Sequence, residues 1–483
     1  MSAATALVAD RAELWIGGRW VTSAGAPIPV VNPATEQVVA HVPSATAAEA
    51  EAAVTAAVAA WPAWAATPVA ERAEFVRKLG DALEGAADDL AAVIATEVGM
   101  PRHLALAAQV RVPAEVLRVT ATAAAKYPWR EPVAAGEVRR EPAGVVVAIT
   151  PWNMPLHQIA AKLGPALVAG CTVVLKPSEV APLNAYALAE LAHEAGIPPG
   201  VVNLVTGTGP VAGEALVRDP RVAVVSLTGS VRSGARVAEL AAANITRVCL
   251  ELGGKSANVV LDDAPLDLVV PAAVQQAFFN SGQACNALTR LVVPGNRHDE
   301  ICERLVETVA ALRLGDPFDP AAELGPLISE RQRETVRGHV RKALSDGARM
   351  LVGGPEAPGD LPVGYYHRPT VFTGVTPDLA LAREEVFGPV LAVQAYPDSP
   401  GDALAVDLAN STDYGLAAGV WSADPERARA VGTRIRAGQV KINGVRTRDS
   451  LDAPFGGYGR SGLGRELGRH GIDEFVEIKS LLG

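Results

Sequence analysis

The chain has 483 residues and a net charge of −10, with 49% hydrophobic but only 5% aromatic residues. That length exceeds what one ordinary core serves, so two or three domains are expected, and the small aliphatics point to helices packed on a sheet. The negative charge argues against wholesale binding to nucleic acid or an anionic membrane. No run of about 18 apolar residues escapes charge or proline, so no membrane-spanning helix is expected. Met1–Asp10 lacks the basic start of a secretory leader. The four cysteines, Cys171, Cys249, Cys285 and Cys302, show no paired spacing. They fit a reduced, cytoplasmic enzyme without disulfides or a metal site.

In chain order, Leu14–Val21 reads as a hairpin, because Gly17-Gly18 supplies the positive φ angles of a two-residue turn. Asn32-Pro33-Ala34-Thr35 reads as a turn. Thr46, with Glu49 three residues on, predicts a capping box at the start of an alanine-rich helix that ends near Trp61-Pro62. A second helix is expected over Val69–Val98, broken at Gly80 and stopped by Gly99-Met100-Pro101. A third covers Leu104–Ala125. Tyr127–Pro132 is loop-like, and Glu137–Glu141 reads as an exposed strand. This two-stranded excursion interrupts the pattern and should pair with something else.

From Gly144 onward strands and helices alternate. Gly144–Thr150 is an unbroken apolar run, as in a parallel strand buried on both faces. Further strands are expected at 172–175, 202–205, 222–227 and 247–250, with helices at 157–169, 182–195, 210–218 and 232–242 between them. The implied fold is a doubly wound α/β sheet, whose ligands sit at the carboxyl ends of the strands. Those ends are polar or glycine-rich: Thr150-Pro151-Trp152-Asn153, Lys176-Pro177-Ser178-Glu179, Thr206-Gly207-Thr208-Gly209, Thr228-Gly229-Ser230 and Glu251-Leu252-Gly253-Gly254. A second α/β unit begins after Ala257, with strands at 257–261 and 289–293 and helices at 267–279 and 298–312. It extends to about residue 450. Gly462–Gly483 reads as a helix and then an apolar strand, docked within the subunit or on a neighbour.

Thr228–Gly234 lies between a strand and a helix, where small residues and a helix N-terminus suit a pyrophosphate. It lacks the G-x-G-x-x-G spacing, so Lys176 and Glu179 on the neighbouring rim carry more of the weight. A carboxylate there can accept from ribose hydroxyls and would repel a 2′-phosphate, so Glu179 favours NAD and disfavours NADP. The plainer reading of the two is an exposed Lys–Glu pair. Cys171, Cys249 and Cys302 read as small buried hydrophobes. Cys285 differs, because Phe278-Phe279-Asn280-Ser281-Gly282-Gln283-Ala284 presents it on a glycine turn after an apolar helix end. A thiolate attacks a carbonyl readily, and its surroundings must lower its pKa. No local histidine accompanies it, which argues against a papain-like protease. Attack on an aldehyde creates an oxyanion that the Asn153 amide and the Cys285 backbone N–H can hold. Hydride loss would leave a thioester. Glu251, with its pKa raised by partial burial, can activate the water that hydrolyses it. The plainer reading of Glu251 is a charged strand-end residue.

Ile149–Asn153, Lys176–Glu179, Glu251-Leu252-Gly253-Gly254-Lys255-Ser256, Phe279–Cys285, Glu384-Glu385-Val386-Phe387-Gly388-Pro389 and Pro454-Phe455-Gly456-Gly457 follow in this order. Together they resemble the aldehyde dehydrogenase superfamily, of the NAD(P)-dependent, non-acylating type, over nearly the whole chain. Glu251 and Cys285 stand 34 positions apart, the spacing usual between base and nucleophile in that family. The resemblance implies a cofactor domain (residues 1–126 and 143–251), a catalytic domain (252–454) and a small oligomerisation element (127–142 and 455–483). The strands of that element would join across the subunits of a dimer or tetramer. The resemblance makes Cys285 the nucleophile, Glu251 the base, Asn153 the oxyanion donor and Lys162 a lysine that supports the site. It makes Lys176 and Glu179 adenosine-ribose ligands, Ser230 a pyrophosphate contact and Glu385 a nicotinamide-ribose ligand with Phe387 beside it. Leu252 would reach the carboxamide through its backbone. Thr150, Pro151, Trp152, Ser178, Gly209, Thr228 and Gly229 complete the expected cofactor set.

The chain departs from the family at Leu227, where phenylalanine is commoner, and at Gly459, where lysine is common. Asn286 follows the nucleophile, where small or hydroxyl residues are frequent. In the implied substrate tunnel, Ala161 occupies an often bulky position, Met154, Phe279 and Phe455 are apolar, and Ala284 and Asn286 flank Cys285. Thr447, Arg448 and Asp449 lie on the loop that closes it. A roomy apolar tunnel suits a medium or bulky aldehyde. Arg446 or Arg448 could instead hold the carboxylate of a semialdehyde, although long charged side chains usually stay solvated. An acylating enzyme that passes the thioester to CoA would not need Glu251. A catalytically silent homologue would have lost Cys285, Glu251 or Asn153. Thioester hydrolysis is a side activity that a shared acyl-enzyme allows.

Overall fold

Gly17 (φ 63°) and Gly18 (φ 81°) turn strand Glu13–Ile16 onto Arg19–Thr22, and Trp15 meets Trp20 edge-on at 4.9 Å. The computed structural model describes residues 7–399, 401–445 and 450–483. Thr46 caps helix Ala47–Ala66 through the reciprocal box with Glu49. The helix runs on past Pro62, because buried Trp64 holds its last turn and the Thr67 N–H closes on the Trp64 carbonyl. The next break falls at Ala86, between helices Val69–Gly85 and Ala87–Val98, and not at Gly80. Gly80 is buried against helix Val112–Lys126, where a Cβ would lie 2.8 Å from the Ala114 carbonyl oxygen. The glycine serves close helix approach rather than helix termination. The expected helix Leu104–Ala125 is interrupted by a π-helical segment, Leu106–Arg111, between Arg102–Ala105 and Val112–Lys126.

Val145–Ile149 lies inside the first large sheet. Thr172–Lys176 and Val202–Leu204 follow on one side, and Val222–Thr228 and Arg247–Glu251 on the other, all parallel. The N-terminal hairpin extends one edge, and Gly462–Leu463 closes the other against Leu250 and Glu251. The direction of winding reverses between Val145–Ile149 and Val222–Thr228, so a crevice opens beyond their carboxyl ends. In the second large sheet the order is Arg349–Val352, Thr370–Thr373, Val390–Tyr396, Arg290–Pro294, Ala257–Val260, Ala417–Trp421, Gln439–Ile442. Only its first pair is antiparallel. Helix Leu266–Phe278 packs into the core of this sheet and delivers the Cys285 turn to the crevice.

Val476–Leu482 pairs antiparallel with Gly136–Pro142, which pairs in turn with Arg130–Val133. The tail therefore docks on the excursion of its own subunit. Ile478, Leu481 and Leu482 remain exposed on this small sheet. Of residues 455–483 only this last strand joins it. Gly462–Leu463 belongs to the first large sheet, and helix Gly468–Asp473 packs on helices Val112–Lys126 and Pro155–Ala169. Among the described residues no single helix is long and apolar enough to cross a membrane.

Candidate active site

Helix Leu266–Phe278 gives way at Phe279, and Asn280 (φ 50°), Ser281 (φ 55°) and Gly282 (φ 73°) follow in the left-handed region. Two consecutive non-glycine residues in that region are strained and must be held by their surroundings. Asn280 Nδ2 donates to the Asn153 carbonyl (3.1 Å), Ser281 Oγ donates to the Gly325 carbonyl (2.7 Å), and Gln283 Oε1 accepts from the Ile328 N–H (2.9 Å). Gly282 is required too, since a Cβ would lie 2.1 Å from the Gly388 carbonyl oxygen. The turn sets Cys285 in the wall common to two cavities of about 550 and 540 Å³. Asn153, just past strand Val145–Ile149, donates through Nδ2 to the Gln283 carbonyl (2.8 Å). That bond orients the amide in the same cleft and leaves its second hydrogen for a substrate oxygen. Cys285 is half-buried. Burial first, then the acids Glu385, Glu251 and Glu466, push its thiol up to about 12. The sequence leads one to expect surroundings that lower it; the difference arises first because burial disfavours a thiolate and then because the neighbouring acids repel it.

Glu251 ends strand Arg247–Glu251 with 2% exposure. Neither of its carboxylate oxygens has a hydrogen-bond partner among the described residues, a costly arrangement for a charge. Its pKa is accordingly raised well above the usual carboxylate range, by burial first and Glu466 next, with Lys162 and Arg465 opposing. Gly456 makes room for it, since a Cβ there would lie 2.6 Å from Glu251 Oε1. Lys162 and Glu466, 1% and 4% exposed, form a buried ion pair. Removing one partner of such a pair costs about 3–5 kcal/mol, so the charges behind Glu251 are firmly placed. Sequence reasoning missed Glu466. Its one signal was the acid at Arg465-Glu466-Leu467, which pairs back to Phe455 in an antiparallel bridge.

The first cavity lies beyond the carboxyl ends of the first sheet. Pro151, Trp152, Asn153, Ser178, Glu179, Thr228, Gly229, Ser230, Glu251, Leu252, Glu385 and Phe387 line it with Cys285. Thr150, Lys176 and Gly209 stand back from that lining. Lys176 is buried 3.8 Å from Glu179 and donates to the Pro177 carbonyl at 3.0 Å, and burial lowers its pKa. Thr150 keeps a buried hydroxyl without a partner among the described residues. Ser230 caps helix Val231–Ala242, accepting from the Ser233 N–H at 3.2 Å. The Leu252 N–H donates to the Ser461 carbonyl (2.9 Å). Glu385 Oε1 accepts from the Gly254 N–H (3.0 Å), and burial pushes its carboxyl up to about 7. Glu385 reaches that N–H because Gly253 has no side chain; a Cβ would sit 2.0 Å from Glu385 Oε2. Phe387 (φ 55°) meets Trp152 edge-on at 5.3 Å, a further strained residue at the cleft. The donor set fits a dinucleotide. Gly229 and Gly209 have ordinary φ, and a Cβ would meet nothing nearer than 3.7 Å at Gly229 and nothing within 4 Å at Gly209. Packing explains neither glycine, and Gly229, on the cavity lining, leaves room for close backbone approach by a ligand.

Across Cys285, Met154, Phe279, Ala284, Asn286 and Phe455 line the second cavity. Ala161 does not: it is 1% exposed in the apolar core. Thr447 and Asp449, with Arg446 and Arg448, lie outside the described residues. The wall is more polar than the apolar tunnel expected. His157, Gln158, Gln275, Gln276 and Lys441 join it, and burial lowers the pKa of both His157 and Lys441. Leu104, Ala107, Ala108 and Val112 arrive from the N-terminal helices, where the π segment buries Gln109 against Met154 Sδ (2.9 Å). Single-turn π segments often mark functional sites, but nothing in the local sequence announces this one.

A cleft beyond the strand ends of an α/β sheet and a second cavity, meeting at one cysteine, suit an α/β oxidoreductase. The family follows from comparison: residues 20–481 match the model of the aldehyde dehydrogenase family, and this chain belongs to it. A 3-succinoylsemialdehyde-pyridine dehydrogenase of Pseudomonas sp is 43% identical over 479 residues, covering 98% of this chain and 99% of the relative. Aldehyde dehydrogenase C of Pseudomonas syringae, solved with NAD+ and octanal, is 44% identical at a TM-score of 0.95, covering 97% and 96%. Betaine aldehyde dehydrogenase of Staphylococcus aureus, solved with NAD+, is 34% identical at a TM-score of 0.95, covering 100% and 97%. The α/β fold with parallel sheets expected from the sequence is the fold of these enzymes, and the protein is an aldehyde-oxidising, NAD(P)-dependent oxidoreductase.

Proposed function

We propose that this protein oxidises a small-molecule aldehyde to its carboxylic acid with NAD, in preference to NADP, through a covalent step on Cys285. The observation that carries this reading is Cys285 in the shared wall, with Glu251 and Asn153 on the cleft side of it. Trp152, Ser178, Glu179, Ser230, Glu385 and Phe387 would hold the dinucleotide, with Lys176 behind Glu179 and the Leu252 backbone near the carboxamide. When bound, NAD supplies the hydride acceptor. The chain does the rest. The Cys285 thiol gives its proton to water in the cleft as the sulfur bonds to the aldehyde carbon. Asn153 Nδ2 and the Cys285 N–H hold the oxyanion that forms. Loss of hydride from this thiohemiacetal leaves a thioester. Glu251 takes a proton from water as the water oxygen attacks, the C–S bond breaks, and the acid departs from restored Cys285. Lys162, through Glu466, keeps the charge around Glu251 in place.

In this reading residues 1–126 and 143–251 serve the cofactor, and 252–454 serve the chemistry. Residues 127–142 and 455–483 serve assembly into a dimer or tetramer, which exposed Ile478 and Leu482 support. A cytoplasmic setting suits four free cysteines. A semialdehyde is a second reading of the substrate, favoured by the name of the Pseudomonas sp relative. Rapid-mixing measurement of NADH tests the base. Glu251→Gln should keep the first burst of NADH and slow later turnover about 10²-fold. The sign of the pH dependence is set by the raised Glu251 pKa: its base form grows as pH rises beyond the usual carboxylate range, so hydrolysis of the acyl-enzyme speeds up, and the glutamine variant loses that rise. An unchanged acyl-enzyme lifetime in the variant would remove Glu251 from the mechanism.

A further inference from the structure

Gln439–Ile442 is the edge strand of the second large sheet, paired in parallel with Ala417–Trp421. Val440 and Ile442 pack into the apolar cluster that holds Ala428 and Val431 of helix Pro425–Gly432. Strand alternation therefore turns Gln439 and Lys441 to the opposite face. Gln439 donates its amide to the Pro454 carbonyl at 3.1 Å. Lys441 reaches the substrate tunnel, on a wall shared with Cys285, Asn286, Gln275 and Gln276. No carboxylate lines the described part of the tunnel, and burial keeps His157 from taking a proton readily. The acids that surround Cys285, Glu251 and Glu385, lie on the cofactor side. Acids thus lie next to the nucleophile on the cofactor side, where Arg232 and Arg331 also line the cavity, and one lysine lies on the tunnel side.

We propose that Lys441 is a specificity-determining residue that draws aldehydes carrying a carboxylate into the tunnel and disfavours those carrying a fixed positive charge. This rests on the tunnel being the aldehyde entrance, as in the proposed function. A neutral amide wall gives a substrate carboxylate hydrogen bonds, but only the ammonium gives it an opposite charge in a partly dehydrated site, where charge counts most. A trimethylammonio-aldehyde meets no acid on the described wall to offset the repulsion.

Two measurements test this, the first without turnover. Alkylation of Cys285 by iodoacetate and by iodoacetamide is timed in the full-length protein and in Lys441→Met. A change in thiol reactivity moves both reagents together, so their ratio isolates attraction of the anion. The iodoacetate-to-iodoacetamide ratio should fall roughly tenfold in Lys441→Met and recover in Lys441→Arg. The second measurement compares kcat/KM for an ω-oxo carboxylic acid, the alkanal of equal length and the trimethylammonio-aldehyde of equal length. The oxo acid should exceed the cationic aldehyde by at least about tenfold in the unaltered protein, and its ratio to the alkanal should fall about tenfold in Lys441→Met. Ratios unchanged in Lys441→Met, a cationic aldehyde preferred by the unaltered protein, or loss of selectivity in Arg448→Met in place of Lys441→Met would each overturn the assignment. If no aldehyde is oxidised yet the alkylation ratio shifts, the proposed reaction fails and the charge reading stands.

Discussion

The two sides of Cys285 constrain the chain at different levels. On the cofactor side the demands fall on the backbone. Gly253 and Gly456 lie so close to the Glu385 and Glu251 carboxylates that any side chain there would push them aside, Phe387 holds a left-handed φ, and Ser230 opens a helix. On the tunnel side the wall is made of side chains from five or more separate elements, among them Met154, His157, Gln275, Lys441 and Phe455. A backbone demand admits almost one residue type, whereas a side-chain wall admits many of similar size. The shape of the first cavity is thereby held by the backbone, and the second is freer to vary.

Three substitutions probe that contrast. Cys285→Ala removes the point where both sides meet, and NADH formation should drop by about 10⁴-fold or more. NAD+ binding, followed by protein fluorescence, should stay within about threefold, because the thiol is only one part of the cleft wall. Persistent turnover would mean that the cavities do not converge on this sulfur. Gly253→Ala strikes one side alone. Its Cβ would displace Glu385, so the KM for NAD+ should rise on the order of 10- to 100-fold. The aldehyde KM should move much less, and equal rises in both would erase the distinction between the two sides. Glu179→Thr should be the mildest change. It removes a like charge from the position expected for a 2′-phosphate, so the NADP-to-NAD ratio of kcat/KM should climb roughly tenfold. A constant ratio would deny Glu179 its selective role.

The same contrast governs how much could be read from the sequence. The five parallel strands and their polar ends were legible because apolar runs and glycine-rich rims are local patterns, and the winding rule places them on one edge. Cys285, Glu251 and Asn153 were legible because each stands in a short motif. Gly80 misled, since a glycine in a helix can signal either a break or a close neighbour, and only the packing of Val112–Lys126 decides between them. Ala161 misled for a related reason: it shares helix Pro155–Ala169 with tunnel residues His157 and Gln158 but falls on its core side. Glu466 and Lys441 meet their neighbours across long sequence separations, where a lone charged residue is the whole of the local signal.

The last thirty residues deserve a temporal reading. Gly462–Leu463 covers the open edge of the strand that ends in Glu251, Glu466 pairs with Lys162, and Val476–Leu482 seals Gly136–Pro142. Synthesis proceeds from the N-terminus, so a growing chain holds Cys285, Glu251 and Asn153 before these closures exist. Until then Arg247–Glu251 offers an unpaired edge to any passing strand, a hazard that the tail removes. A chain cut just before Gly462 would keep Cys285, Glu251 and Asn153 but lose Glu466, the partner of Lys162, and the strand that covers the Arg247–Glu251 edge.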